Sequence, residues 1–226
     1  MNLDFSDDQK FLQDEARKFF DKEGGLANAR KVMDESISHD DSLWAKIVEL
    51  GWTGIRIPEE YDGLGLGHLE LCVIAEEIGR ALAPIPFSSS VYLFTETIIK
   101  YGSDEIKKEI LPKLVTGEVV GTYAVAEDMA AISEANLSCS VDGDAINGTK
   151  IAVPDADLAT HAIVLAKASS GIELRLVDLN SEGVSTSLQK NLDKSRSFYK
   201  VEFNNSKSSL LGESGAGWDS HVHIMD

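Results

Sequence analysis

Hydrophobic positions in the first half of the chain recur at helical spacing. Ser6 stands three residues before Gln9, the pattern of a capping box, and Leu12, Ala16 and Phe19 follow on one face, with Phe20 widening the stripe. Gly24 and Gly25 end this helix. A second helix is predicted from about Asp41 to Leu50, stopped by Gly51. Leu71, Ile74, Ala75, Ile78 and Leu82 place another between about 68 and 82, closed by Pro84 and Pro86. Ser90 to Tyr101 reads as helical, although Val91, Thr95, Thr97 and Ile98 weaken the pattern. Ser103 then caps a helix whose first turn is acidic, as the helix dipole favours.

Past Gly117 the period changes. "EVVGTYAVA", "LSCSV", "HAIVLAKA", "IELRLVD" and "FYKVEF" are short runs, alternating or continuously apolar, and Asp142-Gly143 between two such runs is a hairpin signal. The chain therefore reads as α+β. An all-α N-terminal domain is expected over 1–118 and an all-β barrel or sandwich over 119–213. Residues 214–226 read as the opening of a further helical domain that the chain leaves unfinished.

Charge narrows the partners. The net charge of -17 opposes nucleic acid and anionic membrane surfaces, both of which require Lys and Arg. It leaves room for one small anion held by local groups. No apolar run is long enough to cross a bilayer, and the start of the chain, charged from its fourth residue, has no basic region followed by an apolar one. Cys72 and Cys139 are expected as two buried thiols in a reducing compartment, the cytoplasm.

Two motifs invite a chemical reading and do not sustain it. Gly63, Gly65 and Gly67 are spaced G-x-G-x-G rather than G-x-G-x-x-G, no strand leads into them, and Glu59, Glu60 and Asp62 would repel a phosphate. The loop reads as a tight turn between helices, with glycine permitting positive φ. His221 and His223 could face one way on a strand, but no third ligand lies nearby, and beside Trp218 they read as residues of a helix start. No metal site is predicted.

Four blocks in order carry a resemblance: "GIRIPEEYDGLGLGHLELCVIAEEIGRALAP", "YGSDEIKKEILPKLVTGEVVGTYAVAE", "INGTKIAVPDADLATHAIVLAKA" and "NLDKSRSFYKVEFNNSKSSLLGESGAGWD". Together they resemble the acyl-CoA dehydrogenase family over nearly the whole chain. The resemblance implies a helical domain, a β-domain and a second helical domain. It implies FAD as cofactor, an acyl-CoA thioester as substrate and an electron-transfer protein as acceptor. A homo- or hetero-oligomer is implied as well, in which a neighbouring subunit supplies part of the FAD site. In the family a carboxylate removes the α-proton while the β-hydrogen leaves as hydride to the flavin. That carboxylate belongs to the second helical domain, so no residue of this chain is assigned as catalytic base. Glu127 corresponds to a position near the flavin, not to the base.

By the same resemblance the flavin is expected against Tyr123, Val125 and Ala126, Ile132 and Ser133, and Ala152, Val153 and Pro154. Arg196 is a further candidate, for an FAD phosphate of the adjacent subunit. Two motifs depart from the family pattern. Where Y-x-V-T-E-P-x-A-G-S-D is usual, Ala126 replaces the Thr and Ile132 takes the Ser position, with Ser133 one residue on. Where K-x-W-I-T is usual, the chain has Lys150, Ile151, Ala152, Val153 and Pro154, so neither the Trp nor the second Thr is present. These variants resemble the smaller subunits of pimeloyl-CoA and steroid side-chain dehydrogenases. The expected function is FAD-dependent α,β-dehydrogenation of an acyl-CoA, carried here without its base. The alternative is a non-catalytic or flavin-deficient partner subunit of a heteromer.

Overall fold

The computed structural model describes residues 4–226. Residues 1–3, where the N-terminal domain and the reading of the chain start both begin, lie outside the described residues. The capping box at Ser6 forms as expected, with Ser6 Oγ accepting from Gln9 N and Gln9 Oε1 accepting from Ser6 N, and it opens α1 (Asp7–Lys22). Then come α2 (Leu26–Glu35), α3 (Asp41–Glu49), α4 (His68–Ala81), a π-helical segment (Ser88–Thr95), α5 (Glu96–Tyr101) and α6 (Asp104–Val115). None of the described helices is long and apolar enough to cross a membrane.

Three local features differ from the sequence reading. Gly24 and Gly25, at φ 110° and 50°, do not open a loop but turn the chain directly into α2. Asn28 Nδ2 closes that turn by donating to Glu23 O at 2.7 Å. The expected helix over Ser90–Tyr101 is α-helical only from Glu96. Before that the turns are widened, and Thr95 Oγ1 donates to Ser90 O at 2.8 Å; from the first turn of α5, Thr97 Oγ1 reaches back to Leu93 O at 2.6 Å. Cys72 is exposed on α4, whereas Cys139 is buried. The apolar stripe of α4 buries Leu71 and Ile74, and Cys72 falls off that stripe.

The glycine loop is a turn. It folds back on residues 54–58, with Leu64 N donating to Gly54 O and Gly65 N to Ile57 O, both at 2.9 Å. A Cβ on Gly63 would lie 2.0 Å from Ile57 O, and only Gly65 of the three has positive φ, at 61°. Gly67 is the N-cap of α4, its N–H held by Glu70.

The second half forms β1 (Gly121–Ala124), β2 (Ser140–Asp142), β3 (Ala145–Pro154), β4 (His161–Ala168), β5 (Gly171–Asp178), β6 (Val184–Gln189) and β7 (Phe198–Leu211), followed by α7 (Gly217–Met225). Strands β4, β5, β7, β3 and β2 pair in that order, and β2 returns to β4, so the sheet closes into a barrel. β1 runs parallel to β4, and β6 pairs with β7. The continuous apolar run of β4 follows from burial on both faces. Ala162, Val164 and Ala166 point into the barrel, while Ile163 and Leu165 pack with Phe94, Ile98 and Leu111 of the helical layer. β1 lies close against the π segment, where a Cβ on Gly121 would meet the Phe94 ring at 2.0 Å.

One ionic knot holds α1 to α4. Glu77 is fully buried and accepts from Arg17 Nη2 and from Arg80 Nε, each at 2.6 Å. Burial acts to raise its pKa, but the bonds from Arg17 and Arg80 outweigh this and hold it below the ordinary glutamate value. Glu77→Ala is expected to lower unfolding stability by about 2 kcal/mol. That is less than for a fully buried pair, because the arginines remain partly in water. Since the native pKa is depressed, this contribution is complete above the unfolded value of 4.5 and is lost as pH falls through the native one. Urea titrations of wild type and variant should therefore converge in acid, and a constant gap down to the lowest pH would refute the assignment. Gly121→Ala should cost about 2 kcal/mol through overpacking against Phe94; a variant melting with wild type would show that β1 has room to move.

Candidate functional site

The residues singled out around the flavin fall on the end of β1 and the far end of β3. β3 carries a bulge between Lys150 and Val153, with Ala152 at φ 50°. The bulge brings β3 to the chain leaving β1: Ile151 N donates to Ala126 O at 2.8 Å, and Thr122 Oγ1 donates to Pro154 O at 2.6 Å. Tyr123, Val125, Ala126, Ala152, Val153 and Pro154 are thus brought together. Tyr123 and Val153 are buried, so their side chains belong to the packing beneath. Val125, Ala126 and Pro154 are partly exposed and Ala152 is exposed, giving a shallow patch of small apolar side chains. The N–H of Ala152 is already held by Gln189 Oε1 of β6 at 2.7 Å.

Beneath the patch lies a buried ion pair. Lys150 Nζ donates to Val125 O at 3.2 Å and to Glu127 Oε1 at 2.6 Å. The Glu127 carboxylate also accepts from Cys139 N and from the N–H and hydroxyl of Ser138. Burial pushes Glu127 up, but its bonds to Lys150 and Ser138 prevail and keep it below the ordinary value. A carboxylate held this way is ionised and fully engaged, which ill suits it to collecting a proton from a substrate. Cys139, alongside, is pushed up to about 11 by burial, so it stays a thiol. The sequence blocks contain both Lys150 and Glu127, but their pairing depends on the closure of β1 on β3.

α7 covers β1 from the other side. Tyr123 Oη and His221 Nδ1 are 3.3 Å apart, the two rings stack 5.8 Å apart, and Trp218 lies 5.5 Å from His221. Burial pulls His221 below its ordinary value and pushes Tyr123 up, so at neutral pH the contact joins a neutral phenol and a neutral imidazole, with the imidazole tautomer setting which of them donates. His223 is exposed, so the two histidines do not converge on a common point.

Two of the remaining candidates adjoin the patch through Val125. Ile132 and Ser133 line a small crevice with Val125, Glu127 and Leu137. Arg196 sits beyond the end of β3, its Nη2 donating to Asp155 Oδ2 at 3.1 Å, and the same oxygen accepts from Ser89 Oγ of the π segment at 2.6 Å. This three-residue link, invisible in the sequence, ties the helical layer to the barrel. Burial, more than any neighbour, pushes the Asp155 pKa up, with Arg196 opposing. Next to the link is a cavity of about 410 Å³.

The family model described as the acyl-CoA dehydrogenase N-terminal domain matches residues 6–118. Mitochondrial isovaleryl-CoA dehydrogenase of Solanum tuberosum is 32% identical over 205 residues, covering 85% of this chain and 49% of that protein. The chain spans about half the length of the curated relatives it matches. Among solved structures, a glutaryl-coenzyme A dehydrogenase in complex with glutaryl-CoA superposes with a TM-score of 0.90 at 26% identity, over 100% of this chain and 61% of that one. An acyl-CoA dehydrogenase from Bacillus anthracis complexed with FAD gives 0.85 at 26% identity, over 98% and 40%. Helical layer, barrel and sequence agree, and the chain belongs to the acyl-CoA dehydrogenase family.

Proposed function

We propose that this chain forms the N-terminal and middle domains, bounded near 118 and 213, of an FAD-dependent dehydrogenase that oxidises an acyl-CoA thioester between its α and β carbons. The observation that carries the reading is the patch where bulged β3 meets the end of β1. Its small apolar side chains suit the face of a planar ring, and its one neighbouring ion pair is internally neutralised. Family membership and the FAD complex of the Bacillus anthracis relative favour a flavin as that ring.

When bound, the flavin would supply the acceptor for the departing hydride. The chain's own residues do the rest of what can be assigned. Val125, Ala126, Ala152 and Pro154 present the supporting surface by dispersion contact. Lys150 and Glu127 fix the backbone of that surface, because Lys150 Nζ anchors Val125 O directly. No side-chain hydroxyl stands at positions 126 or 154, and Pro154 has no N–H to offer. At these two positions any polar contact to the ring comes from backbone. Glu127 is given no role as base, and we assign the base to a carboxylate outside these 226 residues. An acyl-CoA, an electron-accepting protein and a like or unlike subunit are the partners this function requires.

The missing hydroxyls favour one second reading, a subunit of a heteromer that binds flavin weakly or not at all. Titration of FAD into the purified full-length protein, followed by quenching of flavin fluorescence, separates the two. The first reading expects saturable binding. It also expects Ala126→Thr to tighten binding roughly fivefold, the worth of one hydrogen bond of about 1 kcal/mol. A colourless protein that takes up no FAD, with or without the added Thr, leaves the partner-subunit reading.

The place of Glu127 is tested in the same holoenzyme. Glu127→Gln should lower stability by about 2 kcal/mol, since it strands the Lys150 ammonium. The rate of substrate α-proton exchange per bound flavin should stay within a few-fold of wild type. Loss of that exchange at full flavin occupancy would make Glu127 the base after all.

A further inference from the structure

The cavity beside Arg196 has no part in the function just described. It lies between α4, the π segment and the turn at Ser195 and Arg196, and Ile78, Leu82, Ile85 and the Tyr92 ring line it. Gly79 of α4 opens onto it as well: a Cβ built there meets nothing within 4 Å. Its volume of about 410 Å³, open to solvent on one side, is that of a small-molecule site. Its walls are apolar except for the hydroxyls of Ser88, Ser195 and Tyr92 and the guanidinium of Arg196. Burial pushes Tyr92 up to about 12, so its hydroxyl stays neutral.

Arg196 is the one cation on this wall. Its Nη2 is given to Asp155, while Nε and Nη1 make no hydrogen bond among the described residues. A guanidinium with donors to spare, set against an apolar wall, suits an amphiphile with a carboxylate.

We propose that the cavity is a binding site for an amphiphile that carries a carboxylate, its chain seated against the apolar walls and its carboxylate paired with Arg196. The site does not rest on the acyl-CoA reading.

Calorimetric titration with decanoate and with decanol tests the site, using the chain as it stands. Decanoate should bind at least tenfold more tightly than decanol. Arg196→Gln should weaken decanoate at least tenfold and leave decanol unchanged. Gly79→Leu starts from a Cβ that meets nothing within 4 Å, projects into the cavity and raises helix propensity, so it should fold and abolish binding of both probes. Equal affinity for the two probes, or decanoate binding unchanged in either variant, overturns the proposal. Neither probe carries a thioester or needs a flavin, so failure here leaves the FAD titration standing. Failure of that titration equally leaves this result standing.

Discussion

The constraint on which the rest depends is that β4 is buried on both faces. Its inward residues must be small to fit a closed barrel and its outward ones large to meet the helices, and Ala162-Ile163-Val164-Leu165-Ala166 alternates in that way. β1 runs parallel to β4 and inherits the rule, with Ala124 inward and Tyr123 outward. Docking the helical layer on this outer face settles where the π segment lies, and Gly121 is what lets β1 come up against Phe94. The candidate site forms where β1 runs beyond this double burial and meets β3. There the side chains are no longer obliged to be packed on both sides, and a shallow surface can form.

How much of this could be read from the sequence varied with the range of the interaction. The helices with explicit local signals were legible: the capping box at Ser6, the cap at Ser103 and the stripe from Leu71 to Ile78 all correspond to helices in the structure. α2 was missed because a glycine pair is as consistent with a hinge as with a stop, and the difference rests on one side-chain bond from Asn28 to Glu23 O. The widened turns at Ser88–Thr95 depend on hydroxyl bonds to particular carbonyls, which hydrophobic period does not encode. Both thiols were expected inside because their neighbours are apolar, yet a helix shares its neighbours between two faces, and Cys72 took the outer one.

For the candidate site, the sequence supplies names of residues and not their geometry. The resemblance pointed to Tyr123, Val125, Ala126 and Ala152 to Pro154, and the structure brings these together through the bulge at Ala152. Which of them offer side chains and which only backbone depends on burial, and Tyr123 and Val153 are lost to the core. The Lys150–Glu127 pair under the patch joins two strand segments 23 residues apart. Its effect is to fix a carbonyl without placing a reactive charge on the surface.

The link from Ser89 through Asp155 to Arg196 gives these features a common logic. Asp155 has left-handed backbone at φ 53° and a nearly buried carboxylate, a costly combination for a residue of this type. It is stabilised from two sides, by a hydroxyl of the widened helical turns and by a guanidinium of the β6–β7 connection. The π geometry, the sharp exit from β3 and the position of Arg196 therefore meet at one carboxylate oxygen. A change in any of the three would disturb the Arg196 wall of the cavity and the exit from β3 through the same carboxylate. The helical layer and the barrel are thereby coupled at Asp155, across a span of sequence that no local pattern joins.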